Sequence, residues 1–132
     1  MKCLDSTFIV DFLKGDKDAV SKVRELEFER LCSTIVNLIE IAVGIYRKKD
    51  INHEVHLDKV KNLFNKFYLL NFNYESAISS ARINSDLVNK GEQIDANDCS
   101  IAAIMLANGC DTIITRNKEH FQRIKGIKVE SY

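Results

Sequence analysis

The sequence predicts an α/β fold: three layers, α/β/α, around a central, mainly parallel sheet of four or five strands. Two observations lead there. Short apolar runs alternate with longer stretches of helical periodicity, and strands separated by helices pair in parallel with both faces covered. The chain also has no proline, no Ser/Gly-rich linker and no repeat, so residues 1–132 read as a single domain.

Each element has a local reason. Lys2 to Leu4 reads as a strand that stops at Asp5. Ser6 is expected to cap a helix from Thr7 to Lys14, with apolar residues at Phe8, Ile9, Phe12 and Leu13. Gly15 ends it, and Asp16 opens a second helix running to about Glu27. Arg30 to Ser33 reads as a strand, after which Ser33 or Thr34 caps an apolar helix from Ile35 to about Arg47. A polar break at Lys48 to Asn52 precedes a helix from His53 to Asn65, and Phe67 to Asn71 is aromatic and branched enough for a third strand. A long helix spans Tyr74 to Asn89 and stops at Gly91. Asp95 caps an Ala-rich helix to Asn108, closed by Gly109. Thr112 to Ile114 is a fourth strand, Asn117 to Arg123 a short helix, and Lys128 to Glu130 a last edge strand.

Composition excludes several classes. No apolar run is long enough to span a bilayer, and the N-terminus shows no signal-peptide pattern, so no membrane and a cytoplasmic location are expected. Cys3, Cys32, Cys99 and Cys110 are widely spaced, with no Cys-x-x-Cys pair, and read as structural thiols rather than a zinc site. His53, His56 and His120 form no ligand cluster either. Lys plus Arg equals Asp plus Glu, 19 each, which argues mildly against a protein that coats nucleic acid non-specifically. Gly-rich phosphate-binding signatures are absent. A receiver-like module is disfavoured because the third strand ends in Leu69-Leu70-Asn71, without an acid.

Three carboxylates carry the chemistry. Asp5 directly follows an apolar strand. Glu40 lies in an apolar helix with no Lys or Arg between Arg30 and Arg47, and its helical neighbours are Val36, Asn37, Val43 and Gly44. Asp98 precedes Cys99-Ser-Ile-Ala-Ala-Ile-Met-Leu-Ala107, with no basic residue between Lys90 and Arg116. An unpaired carboxylate in such surroundings costs several kcal/mol or shifts its pKa, and a shared divalent cation would compensate all three. Taken singly, each has a plainer reading: a turn or cap at Asp5, a solvent stripe at Glu40, a capping-box-like pair of Asp98 with Asp95.

Asp5-Ser6-Thr7 after the first strand resembles the opening Asp-Thr/Ser motif of PIN domains. Glu40 is similar to their second acid, and Asp95-Ala-Asn-Asp98-Cys-Ser-Ile-Ala-Ala103 resembles the segment carrying their third. Thr115-Arg-Asn117-Lys-Glu-His-Phe121 resembles the family's closing stretch. The match runs in order along nearly the whole chain, and its size and ending are most like VapC-type toxins of toxin–antitoxin pairs.

The resemblance implies a PIN-like fold and a metal-dependent endoribonuclease that hydrolyses RNA with Mg²⁺ or Mn²⁺, hard cations suited to oxygen ligands. It implies Asp5 and Asp98 as metal ligands, and Glu40 as a ligand or as the group that orients the attacking water. Asp95 would be an outer carboxylate, and Ser6 and Thr115 supporting hydroxyls. Asn117 stands where the wider family often has an aspartate, so it brings no charge, and Glu119 is the nearby acid that could replace it. Arg116 and Lys118 are the RNA-contact candidates, with Arg47-Lys-Lys49 a further basic run. His120 reads as a surface side chain, and Phe8, Phe12 and Phe121 as core. Implied partners are an RNA substrate, a cognate antitoxin that blocks the acidic cleft, and a second copy in a homodimer. The alternative is a degenerate PIN domain that binds RNA or protein without cutting.

Overall fold

A computed structural model describes all residues from Met1 to Tyr132. The elements run β1 (Lys2–Leu4), α1 (Ser6–Leu13), α2 (Lys17–Glu25), β2 (Leu31–Thr34), α3 (Ile35–Arg47), α4 (His53–Phe64), β3 (Tyr68–Leu70), α5 (Tyr74–Asn89), α6 (Ala96–Ala107), β4 (Thr112–Ile114), α7 (Lys118–Gln122) and β5 (Lys128–Glu130). The strands form one five-stranded sheet in the order β3-β2-β1-β4-β5, and every pairing is parallel. The α/β fold with a parallel central sheet is therefore as the sequence predicts.

Period-two alternation splits the core between the sheet's two faces. Cys3, Cys32 and Ile113 point to one side, where they pack with Leu87, Ile101, Ile104, Met105 and Phe121. Leu4 and Ile114 point to the other, against Phe8, Ile9, Ala19, Ile41, Val60 and Phe64. So α1 to α4 cover one face, and α5 to α7 the other. Helix α3 contributes Val36 to the first cluster and Ile41 to the second. All four cysteines are buried and unbridged, filling space as small apolar side chains.

The departures from expectation are local. Helix α1 begins at Ser6, with Asp5 in the capping position but making no side-chain cap bond. Ser6 is not the cap, because its hydroxyl is drawn to Glu40 across the fold. Strand β2 extends through Thr34, which caps α3, and β3 is trimmed to three residues. Helix α2 stops at Glu25 and the chain turns through Leu26. Asp95 caps α6 by accepting from the Asn97 N–H at 2.8 Å, but Asp98 does not complete a capping box; its carboxylate turns to His120 instead.

The strand order places a topological switch beside β1: the chain steps from β1 to β2 and β3 on one side, then crosses to β4 and β5 on the other. In open parallel sheets the crevice at the carboxyl ends of such strands is the usual ligand site. Asp5 follows β1 and Thr115 follows β4 at that crevice.

Phe121 is fully buried between α7 and the sheet. Phe121→Ala should cost roughly 3–5 kcal/mol, read as a lower denaturant midpoint at unchanged m-value.

Candidate active site

Asp5 is 1% exposed, and its carboxylate is held by side chains from three other places in the chain. The Thr115 hydroxyl donates to Oδ2 at 2.6 Å, the Thr7 hydroxyl to the same oxygen at 3.2 Å, and the Asn37 amide to Oδ1 at 2.9 Å. Burial pushes its pKa up, while hydrogen bonds from Thr115, the Ser6 backbone, Thr7 and Asn37 oppose that shift. Thr115 in turn accepts from the Asn117 N–H at 2.9 Å, and Thr7 accepts from the Arg116 N–H at 3.2 Å. The loop after β4 is thus clipped to the first acid through two threonines.

Glu40, half-buried on α3, accepts from the Ser6 hydroxyl at 2.9 Å. Its pKa is raised by burial and then by the negative charges of Asp5 and Asp98. Asp98, 4% exposed on the first turn of α6, is raised by burial and by Asp5. His120 opposes that shift, with Nδ1 at 2.7 Å from Asp98 Oδ2. The three acids therefore feel one another's charge, although they come from β1's end, α3 and α6. No lysine or arginine forms an ion pair with any of them.

As they stand, no three His, Cys, Asp or Glu side chains are gathered into a ready-made metal cage. The other expected residues ring the acids. Asn117 is exposed at the start of α7, and its side chain makes no cap bond. Asp95, Lys118 and Glu119 are also exposed. Arg116 is engaged rather than free: it pairs with Asp11 at 2.6 Å and Asp16 at 3.3 Å, and lies over the Tyr132 ring.

Sequence reasoning missed three contributors. His120 was expected only at the surface; its ring is half-exposed but reaches Asp98 from α7. Thr7 is part of the Asp5-Ser6-Thr7 motif, but nothing in the sequence assigns it a role of its own. Asn37 entered only as a neighbour of Glu40, although a lone polar side chain three residues after the cap Thr34 was a usable signal.

A parallel sheet covered by helices on both faces, with Asp5, Glu40 and Asp98 near its switch point and no lysine or arginine paired to them, defines the class. The chain belongs to the PIN domain family, whose model matches residues 2–127. Two relatives are similar over nearly their whole length. The tRNA(fMet)-specific endonuclease VapC of Salmonella typhimurium is 25% identical over 129 residues, covering 98% of this chain and 96% of the relative. Ribonuclease VapC1 of Rickettsia felis is 27% identical over 130 residues, covering 96% and 92%. Among solved structures, VapBC2 from Rickettsia felis bound to a promoter DNA fragment superposes with a TM-score of 0.85 at 20% identity, over 99% of this chain and 98% of that one. DNA-bound VapBC from Salmonella typhimurium gives 0.84 at 24% identity, over 98% and 96%.

The raised pKa values set a pH dependence. A carboxyl whose folded value lies above its unfolded one contributes stability that is fully present below the unfolded value. That contribution is lost as pH rises through the raised folded value. In chelator at neutral pH, Glu40→Gln should therefore melt higher than the parent. Screening of the half-exposed side chain keeps the gain to a few degrees at most. The advantage should vanish as pH falls below the ordinary glutamate range, and differential scanning calorimetry at several pH values checks it.

Proposed function

We propose that this chain is a metal-dependent endoribonuclease that hydrolyses RNA phosphodiester bonds, and the toxin of a type II toxin–antitoxin pair. The observation that carries the reading is that Asp5 raises the pKa of Glu40 and of Asp98, and Asp98 that of Glu40, with no lysine or arginine paired to any of them. The likeness to relatives named as VapC nucleases supports it.

The donor set fits Mg²⁺ or Mn²⁺. All three acids offer hard oxygens, and Mg²⁺ keeps several waters while taking one or two protein carboxylates, so a closed cage is not required. Asp5 and Asp98 would hold the ion. When bound, the ion supplies Lewis acidity toward the phosphate and lowers the pKa of water. Glu40, fixed by Ser6, accepts a proton from the attacking water and orients it. Thr115 and Thr7 hold Asp5 by its Oδ2. Asn117 and the outer acids Asp95 and Glu119 order water at the mouth, and Lys118 and Arg116 meet the RNA backbone once Arg116 exchanges its carboxylate partners for phosphate.

Beside the acids runs a groove of about 370 Å³ between α1, α3 and α4. Val10, Ile41, Ile45 and Val60 form its floor, and Glu40 lies at its inner end. Such a groove suits an apolar segment of a cognate antitoxin, with a basic side chain reaching the acids. The exposed stripe Ile39, Val43 and Tyr46 on α3 suits a homodimer contact. No helix is long and apolar enough to cross a membrane. The Asn117 position, uncharged and exposed, favours the second reading, a PIN domain that binds without cutting, and one test separates the two.

That test compares wild type, Asp5→Asn and Asp98→Asn on RNA with Mg²⁺ or Mn²⁺ and with chelator. Both variants should lose roughly a hundredfold or more, and chelator should abolish wild-type cleavage. Equal cleavage by all three proteins, or indifference to chelator, overturns the mechanism. RNA binding without cleavage in any of them selects the second reading.

A further inference from the structure

We propose that Asn37 is a positioning residue for Asp5: its side-chain NH₂ group, not needed by the helix cap that its carbonyl oxygen completes, fixes one carboxylate oxygen. The inference rests on the nuclease reading above and assigns a role that reading leaves open.

Asn37 is 0% exposed, so every polar atom of its amide needs a partner. Its carbonyl oxygen accepts from the Thr34 backbone N–H at 3.1 Å and from the Thr34 hydroxyl at 2.7 Å. Only the oxygen can face a backbone N–H, so the amide cannot be turned round. The NH₂ group is thereby aimed away from the cap, and it donates to Asp5 Oδ1 at 2.9 Å. Thr34 completes the lock by accepting the Asn37 N–H at 3.2 Å.

A second capping box in the same chain shows what the cap alone requires. At the start of α5, Asn73 accepts from the Ser76 N–H at 2.9 Å, and the Ser76 hydroxyl accepts from the Asn73 N–H at 2.9 Å. Serine, with one short hydroxyl, closes that box completely. At α3 the same third helical position carries an amide whose extra donor leaves the helix and ends on a buried carboxylate. The hydrogen bonds at Oδ2 come from the β4 loop and α1, so Asn37 is the side chain that sets the other oxygen. It stops the carboxylate from rotating about its Cβ–Cγ bond.

The discriminating variant is Asn37→Ser, which retains the capping oxygen on the pattern of Ser76 but is too short to reach Asp5. Its unfolding midpoint should drop by no more than the several degrees that one lost hydrogen bond to a carboxylate accounts for, leaving the protein folded at assay temperature. Its kcat should fall about tenfold or more, with KM for RNA little changed. Binding of Mn²⁺ alone, followed by the loss of free-ion EPR signal, should weaken by a similar factor. Asn37→Asp keeps the shape and the Thr34 contact but turns an oxygen toward Asp5, and should cut more slowly than Asn37→Ser. Wild-type kcat and Mn²⁺ affinity in either variant overturn the proposal, and a lowered midpoint with both retained assigns Asn37 to capping alone. Asp5→Asn in the same series keeps the two readings apart. Cleavage that survives Asp5→Asn sinks the nuclease reading, whereas loss there with a fully active Asn37→Ser sinks only this inference.

Discussion

A buried anion without a counter-ion is the constraint around which this molecule is arranged. Asp5 sits at the end of a three-residue strand, almost wholly withdrawn from water, and no lysine or arginine reaches it. An ionised carboxylate in that position costs several kcal/mol unless donors surround it. The donors come from Thr115 after β4, Asn37 at the start of α3, and Thr7 on α1. Hydrogen bonds to a charged group contribute roughly 1.5–3 kcal/mol each. The same bonds that tolerate the charge therefore hold three elements at one point of the sheet, and the loop 115–117 and the first turn of α3 owe their placement to it.

The remaining charges are sorted around that point. Glu40 and Asp98 add negative charge where it is least favourable, each raised further by its neighbours. The nearest arginine, Arg116, is occupied by Asp11, Asp16 and the Tyr132 ring, outside the cluster. Lys2 is likewise committed to Glu29 and Glu130. Surface pairs of this kind contribute little stability individually. Both basic side chains are nonetheless paired with carboxylates other than Asp5, Glu40 and Asp98.

Much of this was legible in the sequence, for identifiable reasons. Strand–helix alternation is written in the period of the apolar residues, and the gaps in Lys and Arg around Glu40 and Asp98 are visible without coordinates. What stayed hidden depends on contacts between distant segments. Ser6 looked like a cap because local rules favour serine there, yet a tertiary partner 34 residues away claims its hydroxyl. His120 reaches Asp98 only because α7 packs back beside α6, and nothing in Lys118-Glu-His120 announces that. The ends of β2 and β3 moved by a residue or two because pairing, not propensity, decides where a short strand stops.

The bond between Thr115 and Asp5 joins residues 110 positions apart. During vectorial synthesis Asp5 leaves the ribosome early, and its principal donor follows only after most of the chain has been made. Long loops of this kind close late, because their entropy must be overcome before the contact rewards it. Until β4 docks beside β1, the first acid is an ordinary solvated aspartate on an unfinished sheet edge. The cluster is therefore a property of the finished chain alone, and a stalled or prematurely ended product lacks it.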